Sequence, residues 1–99
     1  MKRGSTPTHV IRTSIDLTQA KIYLTYSQNG HTLVEKTNED LEVTDEGIVV
    51  MLTQEETLRF KAGVETEVQI RYVTSNGTAD ASNVIKVTVD DVLKNGVIK

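Results

Sequence analysis

The stretch from residue 64 to residue 89 constrains this chain more than any other. Val64, Thr66, Val68, Ile70 and Tyr72 point one way, Glu65, Glu67, Gln69 and Arg71 the other, and Asn76-Gly77 follows. Strict alternation over such a run is the period of a half-buried strand. Both central residues of a type I′ turn need positive φ, which Asn and Gly tolerate best, so an Asn-Gly step here predicts a hairpin. A two-residue loop would set Tyr72 opposite Ala81, Val68 opposite Ile85, Thr66 opposite Val87 and Val64 opposite Val89. It would also place Glu67 across from Lys86 on the wet face. Turn chemistry and face pattern come from different residues and agree, as expected of a sequence that specifies one structure.

The same logic applies between Lys21 and Val34. Ile22, Leu24 and Tyr26 alternate with Tyr23 and Thr25, and Asn29-Gly30 predicts a second type I′ hairpin. Its register would pair Ser27 with Thr32, Tyr26 with Leu33 and Thr25 with Val34. Leu33 would then join the apolar face, leaving Tyr23 and Val34 outward. From His9 onward, Val10, Arg12 and Ser14 alternate with Ile11, Thr13 and Ile15, and Leu41-Glu42-Val43 makes another short strand.

Asp45-Glu46-Gly47 then turns the chain into Ile48-Val49-Val50-Met51-Leu52, which is apolar on both faces. Either this is an interior strand covered on each side, or Val49 and Met51 form an outward patch awaiting a partner. Thr53-Gln54-Glu55-Glu56 has the form of a capping box. It predicts a helix of one to two turns near residues 54–60, with Leu58 toward the core and Gly63 as a left-handed stop.

About seven short strands and one brief crossover helix indicate an all-β fold, an antiparallel immunoglobulin-like β-sandwich. With no Cys and no Trp, the Cys-Trp-Cys mark of true immunoglobulin domains is missing, so only the architecture is implied. Ninety-nine residues make one domain. Residues 1–8 are expected as a flexible arm, 9–90 as the sandwich and 91–99 as an apolar tail. Val92, Leu93, Val97 and Ile98 in that tail either pack back on the domain or dock on a neighbour.

Chemistry is hard to find. A net charge of −3 gives no general attraction to phosphate backbones or anionic membranes. No apolar run is long enough to span a bilayer, and the positive start lacks the apolar stretch of a signal peptide. His9 and His31 are the only imidazoles, and no Gly-x-Ser-x-Gly elbow occurs. The acidic pairs Glu39-Asp40, Asp45-Glu46 and Asp90-Asp91 lack the alternating spacing of a calcium loop. No Gly-rich loop leads from strand to helix to cradle phosphate. The expectation is a chain without catalytic, cofactor or metal residues that binds no nucleic acid, membrane or small-molecule substrate. Protein contact remains. The candidates are Lys2 and Arg3 in the arm, Tyr23, Val34, Val49 and Met51 on outward faces, and Val92, Leu93, Val97 and Ile98 in the tail.

The segment Arg3-Gly4-Ser5-Thr6-Pro7-Thr8-His9 resembles the start of small structural proteins common in prophages of Gram-positive bacteria. The likeness continues through Thr25 to Gly30, Leu52 to Thr57, Phe60 to Gly63, Ala81-Ser82-Asn83 and Asp90 to Leu93, covering nearly the whole chain. A looser similarity runs to the N-terminal sandwich domain of phage baseplate upper proteins. It is carried by Asp16-Leu17-Thr18, the two hairpins and Leu52 to Thr57. The resemblance implies a virion structural or accessory protein of tail, baseplate or head, made in a bacterial cytoplasm and built into the particle. Its partners would be other virion proteins or further copies of itself. The residues alone also allow a stand-alone cell-surface or carbohydrate-binding sandwich, a reading that wants exposed aromatics from a chain with four.

Overall fold

Alternation and turn chemistry produce the expected all-β chain. The computed structural model describes residues 1–13 and 16–81, together with the backbone of residues 85–87. The strands are β1 (Thr8–Arg12), β2 (Lys21–Gln28), β3 (His31–Thr37), β4 (Leu41–Thr44), β5 (Gly47–Met51), β6 (Thr66–Val73), β7 (Ala79–Ala81) and β8 (Ile85–Val87). Among the described residues the strand pairings are antiparallel and form two sheets. The narrower sheet has the order β1-β5-β4; in the wider, β3-β2-β6 is followed by β7 and β8 along successive stretches of the far side of β6. The inner faces meet in one core that includes Ile22, Leu24, Tyr26 and Ile70 from the wide sheet and Ile48 and Val50 from the narrow one. Burying each such side chain contributes ~1.5–3 kcal/mol relative to leaving it exposed.

The first hairpin turns as predicted. Asn29 (φ 51°) and Gly30 (φ 78°) supply the two positive φ values of a type I′ turn, and Ser27 pairs with Thr32. Beyond that pair the register departs from expectation. A bulge between Tyr26 and Ser27 lets Leu33 slip, so Tyr26 faces Val34 and Thr25 faces Glu35. Val34 is therefore core, 2% exposed, and not an outward contact residue. Leu33, expected to join the face of Tyr26, is only partly buried at the edge of the core. An extra residue in one strand flips every later side chain to the opposite face, and nothing in the alternation marks where it falls.

The second hairpin is not type I′. Thr74 N donates to Thr78 O (2.9 Å) and Gly77 N to Thr74 O (2.9 Å), so Ser75-Asn76-Gly77 is a three-residue loop. Gly77 takes the left-handed conformation (φ 87°), and Asn76 is not among the residues with positive φ. This is the type I turn followed by a left-handed residue that three-residue hairpins use. Side chains hold it: the Thr74 hydroxyl and the Asn76 carboxamide oxygen both accept from Thr78 N, each at 3.2 Å. Near the loop Tyr72 therefore faces Asp80 and Arg71 faces Ala81, one residue from the expected pairing. Farther along, Val68 faces Ile85, Glu67 faces Lys86 and Thr66 faces Val87, as read from the sequence. The pairing of Val64 with Val89 lies outside the described residues.

The capping box forms. Thr53 Oγ1 accepts from Glu56 N (3.1 Å), and Glu56 Oε1 accepts from Thr53 N (2.9 Å). The helix, α1 (Gln54–Thr57), is a single turn. Thr57 and Phe60 rather than Leu58 reach the core, and Phe60 meets the Tyr26 ring edge-on at 6.0 Å. Leu58 instead lies partly buried near Gly4.

The stretch expected as an arm lies along this turn. Arg3 donates from Nε to Phe60 O (2.8 Å) and from Nη2 to Leu58 O (3.2 Å). Thr57 Oγ1 donates to Ser5 O (2.9 Å), and Leu52 N donates to Pro7 O (3.0 Å). Carbonyls left over where a short helix ends need donors, and the Arg3 fork supplies them.

Candidate interaction surface

The outer face of the narrow sheet is built by register. Val10 pairs with Val49 and Thr8 with Met51, while Glu42 meets Val49 from the other side. Side chains opposite one another on one face of an antiparallel pair sit close enough to touch. Val10, Val49 and Met51 therefore make an apolar stripe, with Val10 and Met51 each 62% exposed and Val49 half-buried. Thr8, Arg12, Glu42 and Thr44 surround it. β5 is central in its sheet, and among the described residues one of its faces packs on the core: Ile48 and Val50 are buried, whereas Val49 is half-buried and Met51 exposed. Sequence reasoning passed over Val10. Its signal was a place on the same strand face as Arg12, opposite the face of Ile11.

The outer face of the wide sheet differs. Tyr23 is outward and 37% exposed, with Lys21 Nζ 6.0 Å from the centre of its ring and Arg71 directly across on β6. Val73 is also exposed, opposite Lys21. Apolar groups here are interleaved with charge. Of the two basic residues at the start of the chain, Lys2 is exposed, whereas the Arg3 guanidinium is engaged by the carbonyls of Leu58 and Phe60. Val92, Leu93, Val97 and Ile98 lie outside the described residues.

Between the sheets, alongside β1, runs a cleft of about 350 Å3 lined by β1, Tyr26 and Val68. His9 Nδ1 lies 2.7 Å from Tyr26 Oη in its wall. Burial raises the Tyr26 pKa well above the ordinary phenol value, and the negative Glu56 adds to this. Burial lowers the His9 pKa, and the chain's positive amino terminus lowers it further. At neutral pH the phenol therefore keeps its proton and the imidazole is uncharged, and the His9 tautomer sets which of the two donates. The pair ties β1 to β2, so it joins the two sheets. A second tie joins β3 to α1: Lys36 Nζ to Glu56 at 2.8 Å. Burial opposes ionisation of Glu56, but hydrogen bonds from Lys36 and Thr53 and the Lys36 charge outweigh it and hold its pKa below the usual value.

His31 stands exposed in the Asn29-Gly30 hairpin, paired across the turn with Gln28, two residues along β2 from Tyr26. Among the described residues no group of three or more His, Cys, Asp or Glu is placed to hold a metal ion. No described helix is long and apolar enough to cross a membrane. No protein-family model matches the chain, and comparison with curated proteins and with solved structures finds no match.

Proposed function

We propose that this β-sandwich is a non-catalytic structural or docking component of a phage particle, placed in tail, baseplate or head and joined to its neighbours through the outer face of the narrow sheet. The observation that carries the reading is the stripe of Val10, Val49 and Met51, apolar on a sheet whose other face already fills the core. Exposed apolar surface rimmed by polar residues marks a contact site in a folded domain. The phage setting is supplied by the resemblance of residues 3–9 and the later segments, not by the stripe. In this reading the protein is made in a bacterial cytoplasm, does no chemistry of its own, and enters the particle by contact with other virion proteins or with further copies of itself.

The test is mass spectrometry of purified particles from induced lysogens that carry the gene. The protein should be present at a fixed number of copies per particle. The double variant Val10→Glu with Met51→Glu should fold normally and be lost from them. Particles that lack the wild-type protein would end the proposal.

A further inference from the structure

The two margins of the narrow sheet carry opposite charge. Outward from β1 come Thr8, Val10 and Arg12, and outward from β4 come Glu42 and Thr44, with β5 between them. Arg12 and Glu42 are both exposed. The register sets Val10, Val49 and Glu42 in one row across the sheet, and Arg12, Gly47 and Thr44 in the next row on the same face. The apolar stripe is thus edged by a guanidinium on one side and a carboxylate on the other.

A surface with opposite charges on opposite margins fits a copy of itself turned over. Isologous pairs bring the same patch of both subunits together, so residue i meets j and j meets i. A two-fold axis running along β5 lays β5 on β5, with Val49 against Val49, and exchanges the margins, so that β1 of each copy crosses β4 of the other. Arg12 then stands over Thr44 of the second copy, one row from Glu42 and within reach of its carboxylate. A two-fold axis across the strands would instead set Glu42 against Glu42, a like-charge contact that disfavours that arrangement. Strands five, five and four residues long cover roughly 240 Å2 at ordinary strand spacings, against about 800 Å2 per partner in a standard stable interface. A single pair is therefore weak, and it tightens where other contacts hold two copies side by side.

We propose that the partner of the Val10–Val49–Met51 face is a second copy of this chain, docked face to face about a two-fold axis along β5, with Arg12 of each copy against Glu42 of the other. This rests on the reading of that face as a docking surface and names what docks there.

The test uses the full chain in solution. Amide spectra recorded between about 10 μM and 1 mM should show concentration-dependent shifts at Val10, Arg12, Glu42, Val49 and Met51. Arg12→Glu and Glu42→Arg should each weaken self-association about tenfold or more, because each homodimer then holds two like-charge contacts. Isotope-labelled Arg12→Glu mixed with unlabelled Glu42→Arg should recover the wild-type affinity to within about threefold, since both cross-pairs are again of opposite sign. Met51→Glu gives a second reading that does not depend on the charged margins, and should abolish the shifts. Absence of concentration-dependent shifts at this face would overturn the proposal, as would a mixture that associates no more tightly than either charge variant alone, or shifts that persist in Met51→Glu. Particle mass spectrometry and this pairing are read from different samples, so either reading can fail while the other stands.

Discussion

The two sheets are alike on the inside and unlike on the outside. Each sends one strand face into the shared core: Ile48 and Val50 from the narrow sheet, Ile22, Leu24 and Ile70 from the wide one. Outward, the wide sheet sets Tyr23 and Val73 among Lys21, Arg71 and Glu67, where water and charge meet each apolar group. The narrow sheet lines up Val10, Val49 and Met51 without a charge between them. Alternation in β6 is strict because only one face needs burial. The run through β5 is apolar on both faces, although among the described residues only one of them packs on the core. The proposed docking role would give the second face its use.

The largest effects should show that the inner halves of this comparison are equal. Ile48→Ala and Ile70→Ala should each cost ~2–5 kcal/mol in chemical denaturation, because each removes buried methyl groups and leaves a cavity. A cost for Ile48→Ala well below that range would mean that the narrow sheet is not part of the cooperative unit. Next come the polar ties between the layers. Glu56→Gln removes the Lys36 ion pair and weakens the capping box, and should cost about 1 kcal/mol by the same assay.

The His9–Tyr26 tie should appear as a pH dependence. The folded pKa of His9 is lowered below its unfolded value near 6.5, so the folded state holds fewer protons. Its contribution is fully present above about pH 6.5 and is lost as pH falls through the window below that value. Thermal melts of the wild type should therefore drop on acidification through that window more than those of His9→Gln. Equal slopes would show that the imidazole is not held neutral. Smallest of all should be the outer faces. Val10→Glu with Met51→Glu, and separately Tyr23→Glu, should each leave stability within roughly 0.5 kcal/mol, because exposed sites seldom move it further. A loss of several kcal/mol from the first variant would make the stripe part of the core and remove the contrast.

Much of this architecture was legible in the residues. Val64 to Tyr72 announced β6 by alternation, Asn29-Gly30 announced its turn, and Thr53 with Glu56 announced α1, because each signal is local and satisfies its own backbone groups. What escaped depends on contacts between distant segments. Whether Leu33 or Val34 enters the core is settled by the bulge, and the alternation in β3 fits either choice. Asn76-Gly77 suits a type I′ turn and also the last two positions of a three-residue loop. Thr74 and Thr78 decide between them by closing the longer one. Arg3 read as a mobile basic group because its acceptors, the carbonyls of Leu58 and Phe60, are more than fifty positions away. At the candidate surface, Tyr23, Val49 and Met51 were visible from strand parity. Val10 required knowing that β1 lies against β5.

The contrast between the two outer faces is tested most directly by oxidative footprinting of the free protein and of the same protein within purified particles. Met51 should be oxidised readily in the free chain and protected in the particle, while Tyr23 is modified to the same degree in both. Equal oxidation of Met51 in the two samples, or protection of Tyr23 in its place, would contradict the account.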